Sequence, residues 1–241
     1  MQRRELIGAL SGAAVIVLGV ILLASLIYFY RPDHKYRLTV EVETPQGVKS
    51  AAGVMAIYKD RISIAGIGGG VSTKGDAIFV DLGGGRNVIA LVVHGKDGLD
   101  FDGMSHLALN AFASAGERVP FNEVKDLSGK VPVTGALIPT LITFTDLADP
   151  LSAHELAPAD IGAVLGDGYR LRDVTLEMVP VGFWPFDFGG GLGEPVTRGI
   201  QAKFPWWNGP FPWLKPLNGI VFTDTRQTGF KWNKTQLERN L

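Results

Sequence analysis

The chain has 241 residues, with 23 Lys and Arg against 24 Asp and Glu, so its formal net charge is -1. Hydrophobic residues make up 46% and charged residues 20%, which is typical of a folded chain and excludes an intrinsically disordered one. The balanced charge argues against a nucleic-acid partner, and the absence of cysteine excludes disulfides, thiolate metal ligands and cysteine nucleophiles.

The first predicted element is a transmembrane helix. Residues 6–30 carry no charged side chain, and at about 1.5 Å per residue the run is about 37 Å long, enough to cross a hydrocarbon core of about 30 Å. It ends in Tyr28, Phe29 and Tyr30, followed by Arg31, which is typical of a membrane interface. A cleaved signal peptide is the alternative, but its apolar region is shorter and ends in small residues. We therefore expect residues 1–31 to be an uncleaved signal anchor.

The flanking charges decide little about the orientation of the anchor. Arg3 and Arg4 precede it, and Arg31, Lys35 and Arg37 follow it. Long domains translocate largely regardless of charge, and a short N-terminal tail before a large domain is typical of a signal anchor. We expect a single-pass protein of the inner (cytoplasmic) membrane with a periplasmic C-terminal domain.

The anchor also offers two contacts within the membrane. The lipid bilayer is the partner expected for residues 6–30. Gly8 and Gly12 lie four residues apart, which places them on one helix face and would permit a weak homodimer through close helix approach. Small residues are common in membrane helices, so the spacing does not by itself require dimerisation.

Residues 32–225 are predicted to form one mainly antiparallel α+β domain with short helices. Apolar and polar residues alternate over Tyr36–Glu43, Thr44–Gly47 has turn chemistry, and Val48–Lys59 is expected to return as the second strand of a hairpin. A second hairpin is predicted from Asp76–Leu82 and Asn87–His94. Because the apolar residues of these two runs do not alternate, we expect both strands to be buried on both faces.

The rest of the domain is predicted to contain short helices and strands. Met104–Ala115 is rich in Ala and Leu and is expected to be a helix capped by Asp102 or Ser105. The later elements, read in the same way, are a strand at Thr140–Asp146, a helix at Pro158–Leu165 that ends before Gly166, a strand at Tyr169–Val179, a short helix at Pro195–Lys203, a strand at Gly219–Thr223 and a polar tail over residues 226–241.

Four tracts of the soluble part resemble an uncharacterised family of proteobacterial single-pass membrane-anchored proteins with no assigned activity. The tracts are Tyr36–Gly47, Gly75–Gly83, Leu141–Pro150 and Glu194–Ile200 with Pro205 and Trp206. They occur in the same order and cover most of the soluble part. The resemblance implies a membrane-anchored layout, and it implies no catalytic residues.

Motifs for cofactors and metals are incomplete. The glycine-rich runs Gly66–Gly70 and Gly189–Gly193 are not followed by Lys and a hydroxyl residue as in a P-loop, so we expect turns and no nucleotide cofactor. Asp97, Asp100 and Asp102 resemble part of a calcium loop, but its first and last ligand positions lack carboxylates. A solvated acidic turn is the simpler interpretation, and no metal site is predicted.

The histidines support one enzymatic hypothesis. His94 ends a predicted strand and His106 begins a predicted helix, so the two can approach each other. With Asp81 or Asp97 nearby, they would form a hydrolytic site of the general acid–base type. A histidine at a strand end is also common as a structural residue.

The segment Phe204–Trp213 is dense in Trp and Pro. Its rings, Trp206, Trp207, Phe211 and Trp213, offer large apolar area for contact with a protein partner, a glycan or the bilayer interface. The alternative is a lid that folds back over the sheet. In an extended segment neighbouring side chains point to opposite sides, so we expect one of Trp206 and Trp207 to pack on the domain and the other to be exposed.

Three functional hypotheses follow. The leading one is a membrane-anchored, non-enzymatic binding or assembly module, which the Trp/Pro segment favours. The second is a membrane-tethered hydrolase that uses His94 or His106 with a nearby carboxylate. The third is an accessory subunit of a larger membrane complex.

Overall fold

The computed structural model of the protein describes residues 14–25, 31–59, 70–95, 103–182, 193–208 and 223–225. Within these ranges the chain is an α+β structure with two antiparallel sheets and a few short helices. The strands, in chain order, are β1 (His34–Thr44), β2 (Gly47–Lys59), β3 (Val71–Asp76), β4 (Ile78–Gly83), β5 (Arg86–Ala90), β6 (Lys130–Pro132), β7 (Leu141–Phe144), β8 (Ala153–Leu156), β9 (Arg170–Val179) and β10 (Thr223–Thr225). The helices are α1 (residues 14–25), α2 (Leu107–Ser114) and α3 (Gly162–Leu165).

The larger sheet has the order β10-β3-β2-β1-β9-β6, and the predicted first hairpin is confirmed at its centre. β1 and β2 pair from His34 opposite Ile57 to Thr44 opposite Gly47, around a two-residue turn. Gly47 has φ of +112°, a conformation that favours glycine. The apolar residues of β1 face inward and are fully buried, as the alternation predicts: Tyr36, Leu38, Val40 and Val42.

The smaller sheet has the order β4-β5-β7-β8 and contains the predicted second hairpin, with Val80 opposite Val88. Residues 88–93 are buried without exception, as expected for a strand covered on both faces. β4 differs, because Phe79 is half-buried and Asp81 is exposed. The prediction of two-sided burial is therefore wrong for β4, which lies at the edge of its sheet.

Two hydrophobic clusters lie on opposite faces of the smaller sheet. The first joins that sheet to α2 and the inner face of the larger sheet, and Val88, Ala90 and Val92 belong to it. The second cluster covers the other face, contains Ile89, Leu91 and Val93, and is completed by residues near the C-terminal end of the described chain. Alternate residues of one stretch thus enter different cores.

Several predicted helices are shorter in the structure. α2 follows a 3-10 turn at Gly103–His106, and Ser105 does not cap it, since its hydroxyl lies 2.9 Å from that of Thr73. Asp102, the other predicted cap, lies outside the described residues. α3 forms only from Gly162, and it ends at Gly166 with φ of +102°.

The predictions for the C-terminal part are corrected in a similar way. Over the predicted helix Pro195–Lys203, only Ile200–Lys203 is helical, as a single 3-10 turn. Thr197 instead exchanges hydrogen bonds with Val54, which ties residues 195–199 to β2 in a non-helical path. The last described strand is Thr223–Thr225; the predicted start of that strand, residues 219–222, and the polar tail lie outside the described residues.

The predicted anchor is described only in part. Residues 14–25 are helical, and eight of their large apolar side chains are 55–70% exposed. Among the described residues, no helix has both the length and the apolar character needed to span a membrane. Residues 6–13 and 26–30, including Gly8, Gly12, Tyr28, Phe29 and Tyr30, lie outside them.

Candidate binding cleft

A cleft of about 1180 Å³ lies at one end of the larger sheet. Strand pairing brings the ends of three strands together there: β1 begins at His34, β2 ends close to it, and β9 ends at Val179, which pairs with Lys35. The 3-10 turn Phe121–Asp126 closes another side. Ala24 of α1 also lines the cleft, so its wall combines the start of the domain with the helix that precedes it.

The cleft is lined by more basic than acidic side chains. The basic ones are Arg31, Lys35, Lys59 and Lys125, and the acidic ones are Asp33 and Asp126. Within the described part of the chain, Arg31, Lys59 and Lys125 form no ion pair, whereas the carboxylate of Asp33 is engaged by His34. The electrostatic character of the cleft is therefore cationic.

The buried His34 and the half-buried Asp33 form a dyad in this wall. His34 Nδ1 lies 2.9 Å from Asp33 Oδ2, and the two side chains are 2% and 12% exposed. With the carboxylate as acceptor, Nδ1 carries the proton. The other ring nitrogen, Nε2, is buried and has no hydrogen-bond partner among the described residues, an arrangement that costs free energy in a folded protein.

An aromatic ring lies beneath the basic groups. The ring of Phe121 meets His34 edge-on at 5.9 Å between centroids, and it meets His106 at 5.3 Å. The ammonium group of Lys59 lies 5.9 Å from the same ring centroid, within the range of a cation–π interaction. Phe121 thus contacts both histidines and Lys59.

The segment Gly193–Ile200 fixes the outer side of the same sheet end. Lys35 Nζ donates to the Glu194 carbonyl at 2.7 Å, and the guanidinium of Arg37 binds the carboxylates of Glu194 and Glu177. The hydrogen bond to Glu194 is the main reason why the pKa of Arg37 is raised. The Lys35 ammonium is therefore committed to this segment, which leaves Arg31, Lys59 and Lys125 as the cleft's available cations.

The structure distributes the predicted hydrolytic residues over different surroundings. His94 Nε2 lies 2.8 Å from the Leu137 carbonyl, and His106 packs on Phe121. Asp81 accepts a hydrogen bond from the backbone of Gly83 in the turn of the second hairpin. Asp97 lies outside the described residues, as do Asp100 and Asp102. Over the part of the chain that is described, no group of three metal-ligating side chains is found.

The Trp/Pro segment begins as a cover on the second hydrophobic cluster. Phe204 and Trp206 are buried in that cluster, and Trp207 packs against it half-buried. Trp206 is 8% exposed and its indole N–H donates to the Leu147 carbonyl at 2.9 Å. The assignment of Trp206 to a contact surface is corrected accordingly, because its ring completes a core. Phe211 and Trp213 lie outside the described residues.

The rings of Trp206 and Trp207 do not point to opposite sides. Pro205–Asn208 forms a 3-10 turn, so the premise of an extended segment is wrong. The two rings are nearly parallel, at 27°, with centroids 6.1 Å apart. Trp206 is buried, as expected for one of the two rings, but Trp207 is half-buried and packs on the same cluster, so the prediction of an exposed neighbour is wrong.

The sequence analysis missed the residues of the cleft other than Arg31. Its members come from five separate parts of the chain, so no local motif joins them. One signal was present: a two-residue turn with Thr44 opposite Gly47 fixes the register of the hairpin, which brings Lys59 beside the chain that enters β1. Lys125 and Ser128 could be placed only by tertiary structure.

No family model, no curated protein sequence and no solved structure matches this chain. The cleft therefore has to be interpreted from its own chemistry. It offers cations, two neutral hydrogen-bonding side chains at Asn122 and Ser128, and an apolar wall that includes Met178 and Val181. This combination suits a ligand that carries both negative charge and apolar surface.

Proposed function

We propose that the chain is a single-pass protein of the inner membrane whose domain is a non-enzymatic binding module. The observation that carries the proposal is the cationic cleft at the start of β1, immediately after the predicted anchor. A concave site with a few convergent polar groups is where a ligand is expected to bind. Assembly as an accessory subunit of a larger complex is a form of the same function, with another subunit as the ligand.

Site-specific cross-linking tests the binding function. A photoreactive amino acid at Ser128, which lines the cleft, should give an adduct in living cells. The matched control is the same residue at Gln46, an exposed position in the turn at the other end of β1. An adduct from both positions, or from neither, would contradict the cleft as the binding site. The mass of the adduct separates a small ligand from a protein subunit.

The membrane location rests on the uncharged run over residues 6–30 and has its own test. The intact chain should remain in the pellet after carbonate extraction of membranes. Protease added outside spheroplasts should digest the domain that follows Arg31. Protection outside, with digestion only after lysis, would reverse the proposed orientation, and release by carbonate would remove the anchor from the proposal.

One observation favours an enzyme as the second candidate. The Asp33–His34 dyad has the pairing used to orient a general base, with a carboxylate on Nδ1. Nε2 is buried, so this role requires a local opening that exposes the ring to the substrate. A membrane-tethered hydrolase would then use His34, and not His94 or His106. Hydrolysis of ester or phosphoester substrates that is lost in His34→Gln, while the melting temperature is retained, would replace the binding function with this one.

A further inference from the structure

The occupant of the cleft can be specified further by the charge, polarity and position of its lining. Arg31, Lys59 and Lys125 are cations without ion-pair partners in the described part of the chain, and all three line the cleft. A phosphate group satisfies several such cations at once, because its oxygens accept charge-assisted hydrogen bonds. Asn122 and Ser128 add neutral donors beside Lys125.

The apolar side of the cleft continues into α1. Ala24 lines the cleft, and the helix that contains it exposes a run of large apolar side chains from Val15 to Leu23. Met178 and Val181 extend the apolar wall on the side of β9. A ligand with a charged head and apolar chains would place its head against the lysines and its chains along the helix. Free phosphate or a soluble phosphoester would use only the first of these surfaces.

We infer that the cleft binds the phosphate head group of an anionic phospholipid from the membrane that holds the anchor. The inference rests on the proposed binding function and names its ligand. Basic residues close to a membrane surface attract anionic lipids, and the attraction decreases with salt. A zwitterionic lipid carries no net negative charge, so Arg31, Lys59 and Lys125 should bind it more weakly than an anionic lipid.

The test uses the full chain in neutral detergent micelles and three probes. These are dihexanoyl phosphatidylglycerol, dihexanoyl phosphatidylcholine and glycerol phosphate, each titrated by calorimetry. The first should bind most tightly. The double variant Lys59→Gln/Lys125→Gln should bind dihexanoyl phosphatidylglycerol about 25-fold more weakly, because each lysine near an anionic lipid contributes about fivefold to the affinity. The binding should also weaken as salt is added.

A matched variant controls for total charge. Lys49→Gln/Lys203→Gln removes the same charge from exposed positions outside the cleft lining, and its affinity should stay within about twofold of the unmodified chain, because neither lysine is near the head group. All four lysines are outside the buried clusters, so both variants are expected to fold, which a thermal melt checks. Equal losses in the two variants would show that only net charge matters and would overturn the inference.

The remaining outcomes separate the inference from the proposed function. Equal affinity for phosphatidylglycerol and phosphatidylcholine would overturn the selection for charge. Glycerol phosphate binding as tightly as the lipid would show a site for soluble phosphoesters and overturn the lipid. If no probe binds but Ser128 still cross-links specifically to another molecule, the binding function stands and the lipid inference fails. If Ser128 gives no adduct either, both fail.

Discussion

Truncation of Trp206 should destabilise the protein more than truncation of its neighbour Trp207. The ring is 8% exposed, and its centroid lies 4.9 Å from that of Phe204 and 6.3 Å from that of Phe144. Trp→Ala at a buried site costs about 3–5 kcal/mol. Loss of the indole hydrogen bond to the Leu147 carbonyl adds about 1 kcal/mol. The sum is a large share of the roughly 5–15 kcal/mol that holds a domain folded.

The assay is urea denaturation of the full chain in non-ionic detergent, followed by far-UV circular dichroism. Two further variants divide the effect. Trp206→Phe keeps most of the packing and should lose about 1–2 kcal/mol, whereas Trp207→Ala, at a half-buried ring, should lose about 2 kcal/mol. If Trp206→Ala lost less than 1 kcal/mol, the ring would not be part of a core, and the assignment of this segment as a cover would be refuted.

Three other predictions follow from burial. Val80→Asp should prevent accumulation of folded protein, because Val80 is fully buried between the sheets and an unpaired carboxylate there costs several kcal/mol. Expression level and thermal melts measure this, and a normal melting temperature would refute it. Asp76→Ala should lower the free energy of unfolding by about 2–3 kcal/mol in the same urea assay, since the buried carboxylate of Asp76 accepts hydrogen bonds from Arg198 and the Ile200 backbone. Asp76→Asn should lower it less, because the amide oxygen still accepts a hydrogen bond. Burial raises the pKa of Tyr36. Above a pH of about 10 the tyrosine of the unfolded chain therefore ionises while that of the folded chain does not, and the free energy of unfolding should fall by up to about 1.4 kcal/mol per pH unit. Tyr36→Phe should flatten that slope.

The strands were predictable because their information is local. Alternation in β1, the two-residue turn before Gly47 and the apolar run at residues 88–93 each fix a register or a burial pattern without reference to the rest of the chain. The same reasoning could not decide how β4 is covered, since its position at the sheet edge depends on which strands come later.

The helix predictions failed where tertiary contacts override propensity. Residues 195–199 are not helical, because Thr197 forms hydrogen bonds with the backbone of Val54 and the Asp76 carboxylate accepts the N–H of Ile200. Neither contact can be inferred from the composition of the segment. The adjacent rings at Trp206 and Trp207 were misplaced for a related reason, since a 3-10 turn replaces the extended backbone on which the opposite-sides argument depends.

Chain connectivity limits how far the cleft can lie from the membrane. Only Arg31, Pro32 and Asp33 separate residue 30, the predicted end of the anchor, from the first residue of β1. The four steps from residue 30 to His34 span at most about 14 Å, which is less than twice the screening length of about 8 Å at physiological ionic strength. If residues 6–30 span the bilayer, the cations of the cleft must therefore lie within reach of the head groups. A flexible insertion of ten Gly and Ser residues after Arg31 would relax that limit, and it should reduce lipid retention while leaving the affinity for a soluble short-chain lipid unchanged.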